Sequence, residues 1–167
     1  TLQKCSHIIL PGVGSAGWAM ENLVASSLAN QIKEFAQPVM GICLGMQIMC
    51  SYSEEDNTEC LGIFPNSVKK MGNSYDGSNK GYIKIPHVGW NNLTSMESSL
   101  FNGLGEAPYV YFVHSYCAEV NERTIAKCYY GSDFSAAIGY RNFFGCQFHP
   151  EKSGYIGERI LKNFLKM

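Results

Sequence analysis

Charge is scarce in this sequence. Only 16% of its 167 residues are Asp, Glu, Lys or Arg, against the roughly 25% usual in soluble proteins. Thirteen basic residues against 14 acidic leave a formal net charge of -1. There is no basic run, so the chain carries no electrostatic footprint for a nucleic-acid backbone and no patch for an anionic membrane surface. It also lacks any stretch approaching the ~20 apolar residues of a membrane span, and Thr1-Leu2-Gln3-Lys4 opens no basic-then-apolar leader. Cysteine is present but not in pairs. Cys5, Cys43, Cys50, Cys60, Cys117, Cys128 and Cys146 are odd in number and nowhere closer than seven positions, which argues against a zinc knuckle or a disulfide framework. No metal or cofactor is therefore expected. The thiols suit a reducing, cytoplasmic compartment, where most would be small buried hydrophobes.

Apolar residues are abundant. They make up 46% of the chain, with 9 Phe, 10 Tyr and 2 Trp. A chain this long forms one domain and can bury about 70% of its unfolded surface. Low charge with this many aromatics exceeds what a lone soluble domain needs, which points to a buried interface. No internal repeat, linker or low-complexity segment divides residues 1–167.

His7-Ile8-Ile9-Leu10 is a short apolar run ended by Pro11-Gly12, the pattern of a strand buried on both faces that leads into a turn. Ser15 is placed to cap a helix carrying Ala16, Ala19, Met20 and Leu23 at helical spacing. A second helical stretch aligns Leu28, Ile32, Phe35 and Ala36 and stops at Gln37-Pro38, because proline disfavours helix before it. Val39-Met40-Gly41-Ile42 is then a second apolar strand, and strand, helix and strand together predict a parallel sheet covered by helices. Ser51–Glu59 and Gly72–Gly81 read as polar loops. Tyr109–Val113, Thr124–Tyr130, Ala136–Tyr140 and Phe143–Phe148 read as strands, with a turn at Arg141-Asn142. Ile156, Ile160, Leu161, Phe164 and Leu165 form one face of a closing helix.

Gly41-Ile42-Cys43-Leu44-Gly45 lies between an apolar strand and a segment able to start a helix. That is the arrangement of a nucleophile elbow with cysteine as nucleophile: a sharp turn strains the backbone, and flanking glycines clear space for it and for substrate. Amides at a helix start would also favour the thiolate, the attacking species. The plain alternative is a buried cysteine in a Gly-rich turn. Far along the chain, His149-Pro150-Glu151 ends a predicted strand. Residues i and i+2 point to one side there, so the imidazole can take the Cys43 proton while Glu151 orients the ring. Alone this is an ordinary surface turn; together with the elbow it predicts a Cys-His-Glu triad. Donors for a tetrahedral oxyanion would come from the amide of Leu44 and from the Pro11-Gly12-Val13-Gly14 loop, which could equally be no more than the start of a helix.

Gly41-Ile42-Cys43-Leu44-Gly45-Met46-Gln47 and Gln147-Phe148-His149-Pro150-Glu151 resemble the class I glutamine amidotransferases. With Leu10–Gly14, Pro86–Asn91, Tyr111–Tyr116 and His149–Gly154, the resemblance covers essentially the whole chain and extends to the glutaminases that feed a separate synthase in histidine biosynthesis. It implies a flavodoxin-like α/β fold: a mainly parallel central sheet flanked by helices, with additional antiparallel strands and the site at the carboxyl ends of the strands. It implies L-glutamine as substrate and a (β/α)8-barrel cyclase subunit, in a heterodimer, as the receiver of ammonia. Cys43 would form the thioester, with His149 as base then acid and Glu151 as its orienter. Gly12 and Val13 match the oxyanion strand, and Gln47, Ser115 and Tyr116 match positions holding the glutamine head group. His87, Trp90, Asn91 and Lys152 match the synthase-facing side, although His87, Trp90 and Asn91 could merely pin a turn after Pro86, with Trp90 in the core. Chains of this kind begin about one strand, helix and strand earlier, so residues 1–167 read as a single glutaminase domain lacking that first unit. Relatives that supply ammonia in surface-glycan amidation share these motifs, and a stand-alone γ-glutamyl cysteine hydrolase would share the elbow.

Overall fold

The computed structural model describes residues 2–72 and 83–167. The loop expected over Gly72–Gly81 lies, beyond Gly72, outside the described residues. In chain order the elements are β1 (Ile8–Leu10), α1 (Ala16–Ala25), α2 (Leu28–Lys33), β2 (Val39–Ile42), α3 (Leu44–Gln47), β3 (Tyr52–Ser53), β4 (Thr58–Glu59), β5 (Ser67–Lys70), β6 (His87–Asn92), β7 (Tyr109–His114), β8 (Tyr116–Ala118), β9 (Thr124–Tyr129), β10 (Asp133–Tyr140), β11 (Phe143–Cys146) and α4 (Gly154–Phe164), with short 3-10 turns between some of them.

A five-stranded sheet of order β1-β2-β11-β10-β9 forms the centre. β1 and β11 both run parallel to β2, whereas β10 is antiparallel to β11 and to β9. Two of its pairings are therefore parallel, and two are made by the additional antiparallel strands. The cause is local: Tyr140 pairs with Phe143 across the two-residue turn Arg141-Asn142, and a connection that short can only join antiparallel strands. Asn142 Nδ2 secures the turn by donating to the carbonyls of Phe35 and Gln37 at 2.7 and 2.9 Å.

Strand β2 is buried at every position, and its side chains divide between two cores. Met40 and Ile42 join Phe112, Phe134, Phe148, Ile160 and Phe164 on one face of the sheet. Val39 joins Ile32, Phe35, Met46, Met49 and Phe143 on the other. Covering both faces is what a continuous apolar strand requires. β1 departs from the expectation of burial on both sides: it is the edge of the described sheet, and Ile9 is 47% exposed. α1 starts where Ser15 accepts from Trp18 N–H, and its Ala16, Ala19, Met20 and Leu23 pack beside Leu44 and Ile48. α2 ends at Lys33, earlier than Pro38 requires, yet Phe35 remains buried.

Among the described residues there are two smaller sheets, β4-β3-β5-β8 and the antiparallel pair β6-β7. The segment expected to be a turn after Pro86 is strand β6, because each of its residues finds a partner on β7, from His87 opposite His114 to Asn92 opposite Tyr109. The acidic stretch Ser51–Glu59 is likewise ordered: Glu55 and Asp56 accept from the N–H groups of Ala16 and Gly17 and so close the amino end of α1.

Candidate active site

β1, β2 and β11 run in one direction, so their carboxyl ends gather the Pro11–Gly14 loop, the Cys43 elbow and the His149 turn at one edge of the sheet. The elbow is built by close backbone approach. A Cβ at Gly45 would overlap the carbonyl oxygen of Leu10, one at Gly12 would overlap Leu44, and one at Gly41 would meet the Gly45 carbonyl at 2.6 Å. Only glycine lets α3 seat itself so near β1 and β2. Cys43 N–H donates to Cys146 carbonyl at 2.7 Å, and Gln47 N–H donates back to Cys43 carbonyl at 3.1 Å to begin the helix. Between these fixed points Cys43 holds φ 54 and ψ -112, a left-handed region that costs a non-glycine residue about 1–3 kcal/mol and concentrates at functional sites.

The thiol is not the ready thiolate that a helix start suggests. Burial pushes its pKa up, and the carboxylates of Glu151 and Glu55 push the same way, while Leu44 N–H and Gln147 oppose them. A helix of one turn has few aligned amides, so desolvation outweighs the dipole. The resting cysteine is a protonated thiol, turned toward Val113 carbonyl at 3.8 Å.

His149 Nδ1 donates to Glu151 Oε1 at 2.6 Å. That bond assigns the proton to Nδ1 and leaves Nε2 as an acceptor, buried and without a hydrogen-bond partner among the described residues. The turn is locked onto β7: His149 N–H donates to Tyr111 carbonyl, Tyr111 N–H donates to Ser153 Oγ, and Ser153 Oγ donates to His149 carbonyl. The structure brings His149 and Glu151 together. No hydrogen bond joins Cys43 to His149 in the resting arrangement.

Around the thiol, Gln47 is 4% exposed and donates from Nε2 to Tyr116 carbonyl and to Gln147 Oε1, both at 2.9 Å. Gln147 Nε2 in turn donates to Cys43 Sγ at 3.6 Å. Gln47 and Tyr116 thus meet beside the elbow, Tyr116 through its backbone. Ser115 lies at the bend between β7 and β8, where its carbonyl accepts from Met71 N–H. Gln147 belongs to the Gln147–Glu151 motif but has no role that its residue type alone suggests. Its position two residues before His149, on the same side of an extended chain, is the signal that would have found it.

The residues expected on the synthase-facing side divide. Val88 and Trp90 point outward, 56% and 55% exposed, opposite Val113 and Tyr111. Trp90 is therefore not core. Lys152 is exposed, with Nζ 5.9 Å from the Tyr111 ring. Asn91 is half-buried and donates to Tyr129 carbonyl at 3.0 Å. His87 is a correction: alternation along β6 turns it inward, where it is 3% exposed and stacked on Tyr130 at 3.9 Å. So placed, it presents almost no surface to a partner in the isolated chain.

An elbow cysteine, a carboxylate-oriented histidine and glycine-packed turns thus gather at the carboxyl ends of the parallel strands. The family model for class-I glutamine amidotransferases matches residues 2–167, and the chain belongs to that family. It is 49% identical over 166 residues to the imidazole glycerol phosphate synthase subunit HisH of Bacteroides fragilis, covering 99% of this chain and 82% of that one. To the HisH subunit of Shewanella oneidensis it is 45% identical over 181 residues, covering all of this chain and 81% of the relative. A solved glutamine amidotransferase from Thermotoga maritima shares the fold at 18% identity, with a TM-score of 0.64 over 99% of this chain and 65% of that one. All seven cysteines are free, and no helix of the described residues is long and apolar enough to cross a membrane.

Proposed function

We propose that the chain is the glutaminase subunit of an imidazole glycerol phosphate synthase. In this reading it hydrolyses L-glutamine at Cys43 and delivers the ammonia to a (β/α)8-barrel cyclase subunit in histidine biosynthesis. The observation that carries the chemistry is the buried, unpartnered Nε2 of His149, backed by Glu151, at the edge where the strained Cys43 elbow also sits. The identity to two HisH subunits, over nearly the whole chain, favours this pathway over glycan amidation.

His149 Nε2 takes the Cys43 proton, and the sulfur attacks the side-chain amide carbon of glutamine. Leu44 N–H and the Gly12-Val13 backbone are the donors available to the oxyanion, where such groups contribute about 3–4 kcal/mol each. Collapse of the tetrahedral intermediate breaks the C–N bond, and the imidazolium returns its proton to the departing nitrogen as ammonia leaves. Water, deprotonated by the same nitrogen, then cleaves the γ-glutamyl thioester to glutamate and restores the thiol. Gln47, Ser115 and Tyr116 would line the glutamine pocket. The outward strip of Val88, Trp90 and Tyr111, with Lys152 beside it, would face the cyclase. Its apolar centre and cationic edge suit an interface better than open water.

Glutamine hydrolysis measured for the chain alone and with the barrel subunit and its ribotide ligand tests the reading. A sharp rise only with both supports it. Full activity on γ-glutamyl substrates without any partner favours the stand-alone hydrolase, and activation by a different barrel protein favours the glycan pathway.

A further inference from the structure

The inward face of β6 begins an unbroken hydrogen-bonded chain that ends at the nucleophile. His114 Nδ1 lies 2.8 Å from Tyr116 carbonyl, which can only accept, so that nitrogen carries the proton. His114 Nε2 is then an acceptor, and His87 Nδ1, 3.0 Å away, must be its donor. That leaves His87 Nε2 to accept from Asn91 Nδ2 at 3.4 Å. On its other side Tyr116 carbonyl receives Gln47 Nε2, whose second N–H goes to Gln147 Oε1, so Gln147 turns its own N–H toward Cys43 Sγ. One carbonyl in the middle fixes every proton in both directions.

The imidazoles are held tightly. His87 and His114 are 3% and 6% exposed. His87 lies between Tyr130 and Phe112, with ring centroids at 3.9 and 4.8 Å. Desolvation lowers both to about 4, so the pair is neutral near neutral pH. His114 is the last residue of β7 and Tyr116 the first of β8, so the His114 ring spans the bend at Ser115 where the chain passes from the β6 sheet to the β5 sheet.

We propose that His87 and His114 form a positioning clamp for the glutaminase reaction, which fixes Tyr116 carbonyl and, through Gln47 and Gln147, the N–H aimed at the Cys43 sulfur. The clamp touches no reacting atom. It ties the reactivity of Cys43 to the placement of β6, whose opposite face carries the exposed Val88 and Trp90. A partner seated on that face would act on the strand that holds His87. The inference rests on the reading of Cys43 as the nucleophile of a glutamine hydrolase.

The test is the pH profile of Cys43 alkylation by iodoacetamide, resolved from the other cysteines by peptide mapping, in the isolated chain. Glutamine KM and kcat are measured alongside in the presence of the partner. His114→Phe keeps a flat ring against Phe112 and Phe134 but removes both nitrogens; His114→Asn keeps an N–H near the Nδ1 position. For His114→Phe the expected result is a Cys43 profile moved to higher pH by about half a unit or more, because the Gln147 N–H is no longer held on the sulfur. A several-fold rise in glutamine KM should accompany it, and His114→Asn should recover both. Buried Cys128, mapped in the same digests, reports whether the fold survives. Should His114→Phe unfold, His87→Phe reads the same shift from the far side of the clamp. Unchanged Cys43 profiles and KM in folded variants overturn the proposal. Wild-type chain that alkylates at Cys43 yet turns over no glutamine with its partner would instead overturn the glutaminase reading, a separable result.

Discussion

At the scale of single residues, burial keeps the Cys43 thiol protonated in the free chain. Because burial raises the Cys43 thiol above its ordinary 9, its alkylation by a neutral electrophile should keep accelerating beyond pH 9; a plateau reached below pH 8 would contradict the assignment. Glu151→Gln keeps the size of the side chain but removes the charge that orients His149 and stabilises its imidazolium, so kcat for glutamine should fall by roughly 10²-fold or more with a smaller change in KM. The buried histidines make an acid prediction. Unfolded histidine binds its proton near 6.5, while folded His87 and His114 bind theirs at about 4. The unfolded state therefore holds more protons between those values, and stability falls as pH drops through that window. His87→Phe should lose less melting temperature than wild type between pH 7 and 5, and an equal loss would mean that His87 does not contribute. The Cys43 elbow and the His149–Glu151 pair were legible because a glycine-flanked strand-to-helix turn and an i, i+2 spacing are local patterns. The His87–His114 pair was not, since its two members meet only through β6–β7 pairing across 27 residues.

At the scale of elements, the elbow was legible and its neighbours were less so. The glycines at 41 and 45 announced a tight strand-to-helix turn, and the structure gives them a steric reason in the contacts with Leu10, Gly45 and Met46 backbone. Gly45→Ala must push the Leu10–Pro11 segment away from the elbow. We expect a loss of about 1–3 kcal/mol, seen as a lower melting temperature, together with depressed glutamine turnover because the Gly12-Val13 donors move with that segment. A variant of full stability and activity would show that the close approach is dispensable. β6 read as a turn because Pro86, Gly89 and the two asparagines are poor strand formers; pairing with the strongly β-forming Tyr109–His114 overrides local preference. The ordering of Ser51–Glu59 was hidden for a similar reason. Glu55 and Asp56 act on α1, 39 residues away, and no local pattern reports such a contact.

At the scale of the whole molecule, the outer face of β6–β7 carries an exposed apolar strip. Val88 pairs with Val113 and Trp90 with Tyr111, and most of this strip stays exposed in the isolated chain. Trp90→Ala should weaken assembly with the partner subunit by about 2 kcal/mol, the scale of an interface hot spot, which is roughly 30-fold in Kd, while labelling of Cys43 by a glutamine-mimicking electrophile proceeds unchanged. Unaltered affinity would remove Trp90 from the interface. The mixed sheet shows how far composition alone reaches: apolar strands announced a covered sheet, but the antiparallel half depended on the turn at Arg141-Asn142. Whether glutamine is opened by Cys43 and its nitrogen passed on as ammonia is read from the Cys43→Ala subunit assembled with its partner subunit. This complex should lose all glutamine-dependent synthesis and retain synthesis from free ammonia at the wild-type rate. Glutamine-dependent synthesis surviving the substitution would contradict that role of Cys43.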